Sequence, residues 1–362
     1  MENRILKLIK KLVKVESISS KPDKLVEVVD VVENFFANKN VYIDRHEKHF
    51  KQSIVISNTK EKKKTIILNG HIDVVNAKKH QFKLKENGDI LTGRGVFDMK
   101  SLAAMLIIAF DNIIELKPEL SIALVLTTDE EIGGSNGMEY LIRDIGYTCD
   151  VAYIPDGGGH FNILTEEKGL LQLRISAKGK SSHSAYPWRG ENAIDKLINL
   201  YSRIIQLFPL PESNEDWHTS VNLSQIAGGS DVMNKVPDKA VMHLDIRFPY
   251  PLTAEEILNK IYQLVQKDHY SIETLFSGST FRTDPQNEYI QIFKSTVETY
   301  LNRNINFTKS PGASDARYLT DRGIPVIITR CEGGGLHGID EWISLPSLLK
   351  QYDMLMEFLK KL

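Results

Sequence analysis

Residues 121–134 read SIALVLTTDEEIGG, an apolar stretch that runs directly into three consecutive acids and two glycines. A similar order recurs at residues 65–73, TIILNGHID, and at residues 150–157, DVAYIPDG. Each stretch is a β-branched run that ends in charged side chains. Because helix-like stretches such as residues 100–112 lie between these runs, the pattern predicts an α/β sheet covered by helices on both faces.

A different order of elements occupies residues 171–284. The predicted elements are strand Leu171–Ala177, helix Asn192–Leu207, strands Val221–Ile226 and Ala240–Arg247, helix Ala254–Lys267 and strand Ser271–Phe276. This β-α-β-β-α-β order is the ferredoxin-like split unit, which can form a core of its own. We therefore expect residues 171–284 to form a domain inserted into a first domain of residues 1–170 and 285–362.

Composition excludes several classes of protein. The chain has 362 residues with 45 Lys and Arg against 47 Asp and Glu, so it lacks the basic excess of nucleic-acid-binding proteins. Two cysteines, Cys149 and Cys331, cannot build a disulfide framework and suit a reducing compartment. The amino-terminal stretch does not have the pattern of a signal peptide, and the longest apolar run, residues 102–110, is too short to cross a bilayer. We expect a cytoplasmic protein with no nucleic-acid or membrane partner.

Five acids and histidines, most of them at predicted strand ends, are candidates for a metal site: His71, Asp98, Glu131, Asp156 and His337. Singly, each has an ordinary explanation, such as a helix cap for Asp98 or a solvated acidic turn for Glu131. Together they supply two imidazoles and three carboxylates, which can hold two divalent ions that share one carboxylate. These donors suit zinc, with cobalt and manganese as alternatives.

Two other chemistries are weaker. The stretch Gly93-Arg94-Gly95 resembles a dinucleotide fingerprint, but Asp98 stands where the third glycine belongs and would repel a pyrophosphate. A cysteine hydrolase built from Cys331 and His337 is conceivable, although no neighbouring residue visibly activates the thiol.

The sequence resembles the di-zinc aminoacylase and carboxypeptidase family, which includes acetylornithine deacetylase, succinyl-diaminopimelate desuccinylase, carboxypeptidase G and several dipeptidases. The motifs that carry the resemblance are GHIDVV at residues 70–75, GRGVFDMK at 93–100, TDEEIGG at 128–134 and LHGIDE at 336–341. The resemblance covers essentially the whole chain. It implies a zinc-peptidase-like catalytic domain with a central mixed sheet, and an inserted ferredoxin-like α+β lid and dimerisation domain.

The resemblance also implies a role for each candidate residue. It assigns five ligands to two zinc ions in each subunit: His71, Asp98 as the bridge, Glu131, Asp156 and His337. Glu130 would be the general base, and Asp73 would hold the His71 ring. A water between two zinc ions has its pKa lowered toward about 7, so Glu130 needs only to take its proton and return it to the leaving amine. The implied reaction is amide hydrolysis by this metal-bridged water.

Four further residues match family positions outside the ligand set. His183 matches a histidine that reaches an active site, commonly that of the partner subunit, which implies a homodimer. Asn234 and Arg247 match positions that bind the carboxylate of the substrate, for which an arginine fork is well suited. Gly312 begins a loop that resembles the family's backbone-donor loop over the substrate.

Departures from the family pattern narrow the range of substrates that we expect. Glu167 and Leu170 stand where a desuccinylase uses an arginine and a serine, and Ala313 replaces a threonine that contacts substrate there. Asp156, where the family has Glu or Asp, resembles the dipeptidase members. We therefore expect a peptidase or N-acyl-amino-acid deacylase that acts on a small amide with a free carboxylate.

Two alternatives stay open. One is a specific biosynthetic deacylase of the acetylornithine deacetylase or succinyl-diaminopimelate desuccinylase type. The other is a non-catalytic binding protein, which predicts loss of the base or of a ligand. Glu130 and all five candidate ligands are present in this sequence.

Overall fold

The computed structural model of the protein describes residues 1–213, 216–229, 231–265 and 269–362. The helices are α1 Glu2–Lys14, α2 Pro22–Phe36, α3 Lys100–Leu116, α4 Met138–Tyr140, α5 Ala193–Leu207, α6 Ala254–Tyr262, α7 Glu288–Leu301, α8 Ala316–Thr320 and α9 Leu345–Lys361. The strands are β1 Tyr42–Lys48, β2 Lys51–Ser57, β3 Lys63–His71, β4 Lys85–Asn87, β5 Ile90–Thr92, β6 Ile122–Thr127, β7 Thr148–Ile154, β8 Ile163–Glu167, β9 Gly169–Lys178, β10 Ser220–Gly228, β11 Lys239–Phe248, β12 Tyr270–Gly278, β13 Phe281–Arg282, β14 Phe307–Ser310, β15 Val326–Ile328, β16 Gly333–Gly334 and β17 Trp342–Ser344. Among these residues, no helix combines the length and the apolar character needed to cross a membrane.

The chain divides into two units. The first unit comprises Met1–Glu166, Arg282–Ser310 and Ser314–Leu362, and the second comprises Glu167–Phe281 together with Pro311–Ala313. Each unit has a hydrophobic core of its own. The second unit therefore interrupts the first in the sequence.

The central sheet of the first unit is mixed. Its strand order is β1-β2-β6-β3-β7-β15-β8-β13, with β14 pairing to β8. Strands β6, β3, β7 and β15 run parallel, whereas β2 and β8 are antiparallel to their neighbours. In the register of β3 and β6, His71 lies opposite Thr127, so the residues that follow both strands emerge at one edge of the sheet.

The helices of the first unit cover this sheet for reasons visible in their sequences. In α1, the residues spaced three and four apart are the buried ones: Ile5, Leu8, Ile9, Leu12 and Val13. Helix α3 is apolar on most of its surface and is buried along almost its whole length, as its composition requires. The predicted central mixed sheet, flanked by helices, is confirmed.

A small second sheet in the first unit brings two distant loops together. Its strand order is β16-β17-β5-β4. Strands β5 and β17 are antiparallel, with Trp342 opposite Thr92. Residues 93–98 follow β5 and residues 335–341 precede β17, so these two loops run side by side.

The second unit is ferredoxin-like. Its four strands form an antiparallel sheet in the order β10-β11-β9-β12, and α5 and α6 contribute Leu197 and Ile257 to its core. The predicted β-α-β-β-α-β order is confirmed. Helix α6 ends at Tyr262, earlier than expected, with the Gln263 N–H bonded to the Asn259 and Ile261 carbonyls. Lys267, the expected last residue of this helix, lies outside the described residues.

Candidate metal centre and active site

Acids and histidines gather in two groups at the carboxyl ends of the parallel strands. The first group is His71, Glu130 and Asp156, and the second is Asp98, Glu131 and His337. In each group, one candidate ligand atom from every residue lies within 4.8 Å of the others. The structure thus brings together all five predicted metal ligands and the predicted base.

Asp98 belongs to the second group and also contacts the first. Its Oδ1 is 3.1 Å from His71 Nε2, and its Oδ2 is 3.2 Å from His337 Nε2. The N-cap of α3 is Met99, and no side chain caps that helix. The helix-cap explanation for Asp98 is therefore wrong, because its carboxylate faces two imidazoles instead.

The strand ends explain how four of the remaining members reach the site. His71 is the last residue of β3, and Asp156 follows two residues after β7. Glu130 and Glu131 begin a short 3-10 turn, Glu130–Ile132, that follows β6. Since β3, β6 and β7 are parallel neighbours, their carboxyl ends deliver these side chains to one place.

Asp73 orients the His71 ring. The ring Nδ1 is 3.4 Å from Asp73 Oδ1 and 3.2 Å from the Asp73 carbonyl oxygen, which leaves Nε2 facing Asp98. The other oxygen, Oδ2, accepts hydrogen bonds from the Ser19 hydroxyl at 2.9 Å and from the Glu131 N–H at 3.3 Å. A carboxylate behind a histidine in this way fixes the ring that faces a metal.

The carboxylates of the site need positive charge. Burial raises the pKa of Glu130 well above its usual range, and Asp156 adds to this effect while His71 opposes it. Burial, reinforced by Asp98, raises the pKa of Glu131 to about 7 and that of Asp156 to about 6. Burial also acts on Asp98, but hydrogen bonds with His337 and His71 outweigh it and hold the pKa of Asp98 well below its usual range. Burial first, and the neighbouring acids second, therefore disfavour the charged forms of Glu130, Glu131 and Asp156, and a divalent cation would offset this cost.

The donor set fits borderline divalent metals. Imidazole and carboxylate groups without a thiolate are typical ligands of zinc, cobalt and manganese. Cys331 is only 1% exposed, and burial raises the pKa of its thiol to about 12. A nucleophilic cysteine needs a lowered pKa, so the structure argues against the cysteine hydrolase.

The other predicted site residues lie in the second unit, and their roles stay predictions. His183 Nδ1 accepts a hydrogen bond from the Ala185 N–H at 3.1 Å, and the His183 backbone bridges to Lys235, next to Asn234. Arg247, on β11, binds Asp245 through its Nε at 2.7 Å, the ordinary ion pair of a strand arginine. Gly312 belongs to the short segment grouped with this unit.

The sequence reasoning missed several residues that surround the two groups. Arg330 Nη1 is 3.6 Å from Asp156 Oδ1, and its guanidinium lies 4.3 Å from the centroid of the Phe97 ring. Arg317 donates to the Gly133 carbonyl at 2.7 Å and so holds the turn that carries Glu130 and Glu131. Both arginines act on partners that are distant in the sequence, so no local pattern identifies them.

The fold and the two side-chain groups define a metal-dependent hydrolase. Comparison with known proteins identifies the family to which it belongs. The chain matches the model of peptidase family M20/M25/M40 over residues 67–361 and belongs to this family. It is a metal-dependent peptidase or deacylase. The predicted family, fold class and enzyme class are thereby confirmed.

Three relatives illustrate the similarity. The chain is 26% identical to a succinyl-diaminopimelate desuccinylase of Rickettsia bellii, with 97% of this chain and 95% of the relative covered. The aminopeptidase PepT of Bacillus cereus has the same fold, with a TM-score of 0.81, 20% identity, and 100% and 98% of the two chains covered. A Bacillus subtilis protein described as a dinuclear metal-binding peptidase of the M20 family aligns with a TM-score of 0.69, 13% identity, and 99% and 97% coverage.

Proposed function

We propose that this chain hydrolyses an amide bond in a small peptide or an N-acyl amino acid, with two divalent metal ions and Glu130 as general base. One observation carries the proposal: Glu130 and Glu131 are adjacent in sequence but face different groups. Glu130 Oε2 is 3.9 Å from His71 Nε2, whereas Glu131 Oε2 is 3.1 Å from His337 Nε2. One carboxylate can therefore bind metal while its neighbour moves a proton.

Each ion would have three ligands from this chain. His71, Asp98 and Asp156 would hold the first ion, and Asp98, Glu131 and His337 the second. We propose zinc as the metal, with cobalt and manganese as alternatives. Two such ions would polarise the amide carbonyl and lower the pKa of a water molecule at the site.

Glu130 carries the proton through the reaction. It accepts a proton from the attacking water as the water oxygen bonds to the carbonyl carbon. It then gives this proton to the amide nitrogen as the carbon–nitrogen bond breaks, so the amine leaves uncharged. Asp73 keeps the His71 ring in place throughout, and Asn234, Arg247 and the loop at Gly312 would bind the carboxylate and backbone of the substrate.

A second candidate function is desuccinylation. The similarity to a succinyl-diaminopimelate desuccinylase over nearly the whole chain favours it. The residues Glu167, Leu170 and Ala313, which lack the donors a desuccinylase uses, count against it. The two functions share the metal groups and the base, and differ only in the acyl group that is removed.

A substrate panel separates the two candidates. We expect zinc- or manganese-loaded protein to hydrolyse dipeptides or N-acetyl amino acids with a free carboxylate at least about 10-fold faster than their amidated counterparts, since a charged hydrogen bond contributes about 1.5–3 kcal/mol. Release of free amine is the measurement, and N-succinyl-diaminopimelate and acetylornithine belong in the panel. Turnover of the succinyl substrate alone would favour desuccinylation, and turnover that persists in excess chelator would contradict both candidates.

We further propose a homodimer in which His183 serves the partner's active site. The family histidine that His183 matches helps to hold the oxyanion, so His183→Ala should lower kcat by about 10²-fold, the usual effect of losing one such donor. Mixing this variant with Glu130→Gln should restore about a quarter of the normal activity, because half of the dimers are hybrids with one complete site each. If mixed subunits stay inactive although hybrids form, His183 acts within its own subunit.

A further inference from the structure

Arg94 and Glu341 lie on the two loops that carry the second metal group. Residues 93–98 end in Asp98, and residues 335–341 contain His337. The Gly93 N–H donates to the Glu341 carbonyl at 3.3 Å, which continues the pairing of β5 with β17. The position of Asp98 relative to His337 therefore depends on how these two loops are joined.

Glu341 fixes the loop that leads to Asp98. Its carboxylate is 1% exposed and accepts four hydrogen bonds. Oε1 accepts from the N–H groups of Phe97 at 2.8 Å and of Asp98 at 3.0 Å. Oε2 accepts from the Gly95 N–H at 2.8 Å and from Arg94 Nη1 at 2.7 Å. The backbone amide of the shared ligand is thus held directly by Glu341.

Arg94 fixes the loop that carries His337. It is 2% exposed, and its Nη2 donates to the carbonyls of His337 at 3.0 Å and Gly338 at 2.9 Å. His337 has a φ of 60°, in the left-handed region, which is unfavourable for a residue other than glycine. The guanidinium of Arg94 therefore stabilises a backbone conformation that His337 would not otherwise favour.

A buried ion pair is a costly way to gain stability, because desolvation offsets most of the attraction between the charges. An ion pair between the two loops that carry metal ligands is better explained by the positions in which it holds those loops. We propose that Arg94 and Glu341 are positioning residues for the second metal group, fixing Asp98 and His337 at the separation that a divalent ion requires. This inference rests on the proposed metal-dependent function. His71 and Asp156 are positioned instead by the ends of β3 and β7.

Zinc titration of metal-free protein tests the inference without a substrate. In Glu341→Gln, the new amide NH₂ meets backbone N–H donors, so we expect zinc binding at the second group to weaken by about 10- to 100-fold, as is typical when a group that holds a ligand is lost. Arg94→Lys keeps the charge but loses the fork, and should show a smaller weakening. Calorimetry gives both dissociation constants, and mass spectrometry gives the metal content.

The His337→Ala background assigns the affected site. This variant lacks a ligand of the second group, so its remaining zinc site is the first. Because Glu341 holds the amide of Asp98, which both proposed ions share, adding Glu341→Gln to His337→Ala should also weaken the remaining site. We expect the factor to be smaller than that at the second group, because the first ion keeps His71 and Asp156, which Glu341 does not hold. A loss at the remaining site as large as that at the second group would show that Glu341 supports both sites equally and would overturn the proposal.

Asp111→Asn is the matched control. Asp111 is a buried carboxylate on α3 that pairs with Lys39 at 2.8 Å and with Arg4, so the change removes a charge from another ion pair of the first unit. It should lower stability and leave both zinc affinities unchanged. Equal losses of zinc affinity in Asp111→Asn and Glu341→Gln would show that Arg94 and Glu341 have only a general structural role. Arg94→Lys provides the test if Glu341→Gln does not fold, and unaltered protein that binds none of zinc, cobalt and manganese would instead refute the proposed function.

Discussion

Glu130→Gln is expected to lower kcat by roughly 10²- to 10⁴-fold while the protein continues to bind two metal ions. Glutamine has nearly the shape of glutamate but cannot accept a proton from the attacking water. The carboxylate lies in the first group, 3.9 Å from His71, where a proton acceptor can reach the site without being needed as a ligand. Steady-state kinetics and metal analysis of the same preparation give the two measurements.

The neighbouring residue supplies the control. Glu131→Gln makes the same chemical change one position along the chain, but removes a ligand of the second group, so bound metal should fall toward one ion. Undiminished turnover in Glu130→Gln would exclude Glu130 as the base. Loss of metal in Glu130→Gln would show instead that Glu130 is a metal ligand. This outcome has to be tested because Glu130 lies in the same group as His71 and Asp156.

Asp98→Ala is expected to abolish turnover and remove most of both metal ions. Its two oxygens face His71 and His337 separately, so one substitution takes a ligand from each proposed ion. Metal binding stabilises the folded state by about 2.7 kcal/mol for each site when the free ion is at 100 times its dissociation constant. The stabilisation of the unaltered protein by zinc should therefore largely disappear in Asp98→Ala, as thermal unfolding with and without zinc would measure.

Asp340→Ala is the control for this change. Asp340 lies in the same motif as His337 but is exposed. The Asp340→Ala protein should therefore keep two ions, full activity and the stabilisation by zinc. If Asp98→Ala retained both ions, Asp98 would not be shared between them. The retained stoichiometry would then require another residue as the bridge.

The sequence could predict the sheet and the members of the two groups because both depend on local signals. Apolar runs such as residues 121–127 indicate strands, and the acids after them reach one edge whenever the strands are parallel. The sequence also identifies Asp98 as a candidate ligand, but it is equally compatible with a helix cap. Only the fold places the Asp98 carboxylate between two imidazoles. Strands of two or three residues, such as β5 and β17, carry no periodicity and were not predicted.

The supporting residues could not be predicted, because their partners lie far away in the chain. Arg94 and Glu341 are 247 residues apart, and Ser19 reaches Asp73 across 54 residues. Most of their hydrogen bonds join a side chain to the backbone, and such bonds leave no complementary pattern in the sequence. Only the tertiary pairing of β5 with β17 brings the first pair together.

The insertion of the second unit also orders the assembly of the site during translation. His71, Asp98, Glu130, Glu131 and Asp156 all precede the inserted segment, whereas His337 and Glu341 follow it. A chain that emerges from the ribosome amino terminus first therefore holds every residue of the first group before the second unit has been made. The second group, by contrast, is complete only after the inserted segment has been synthesised, because His337 follows that segment.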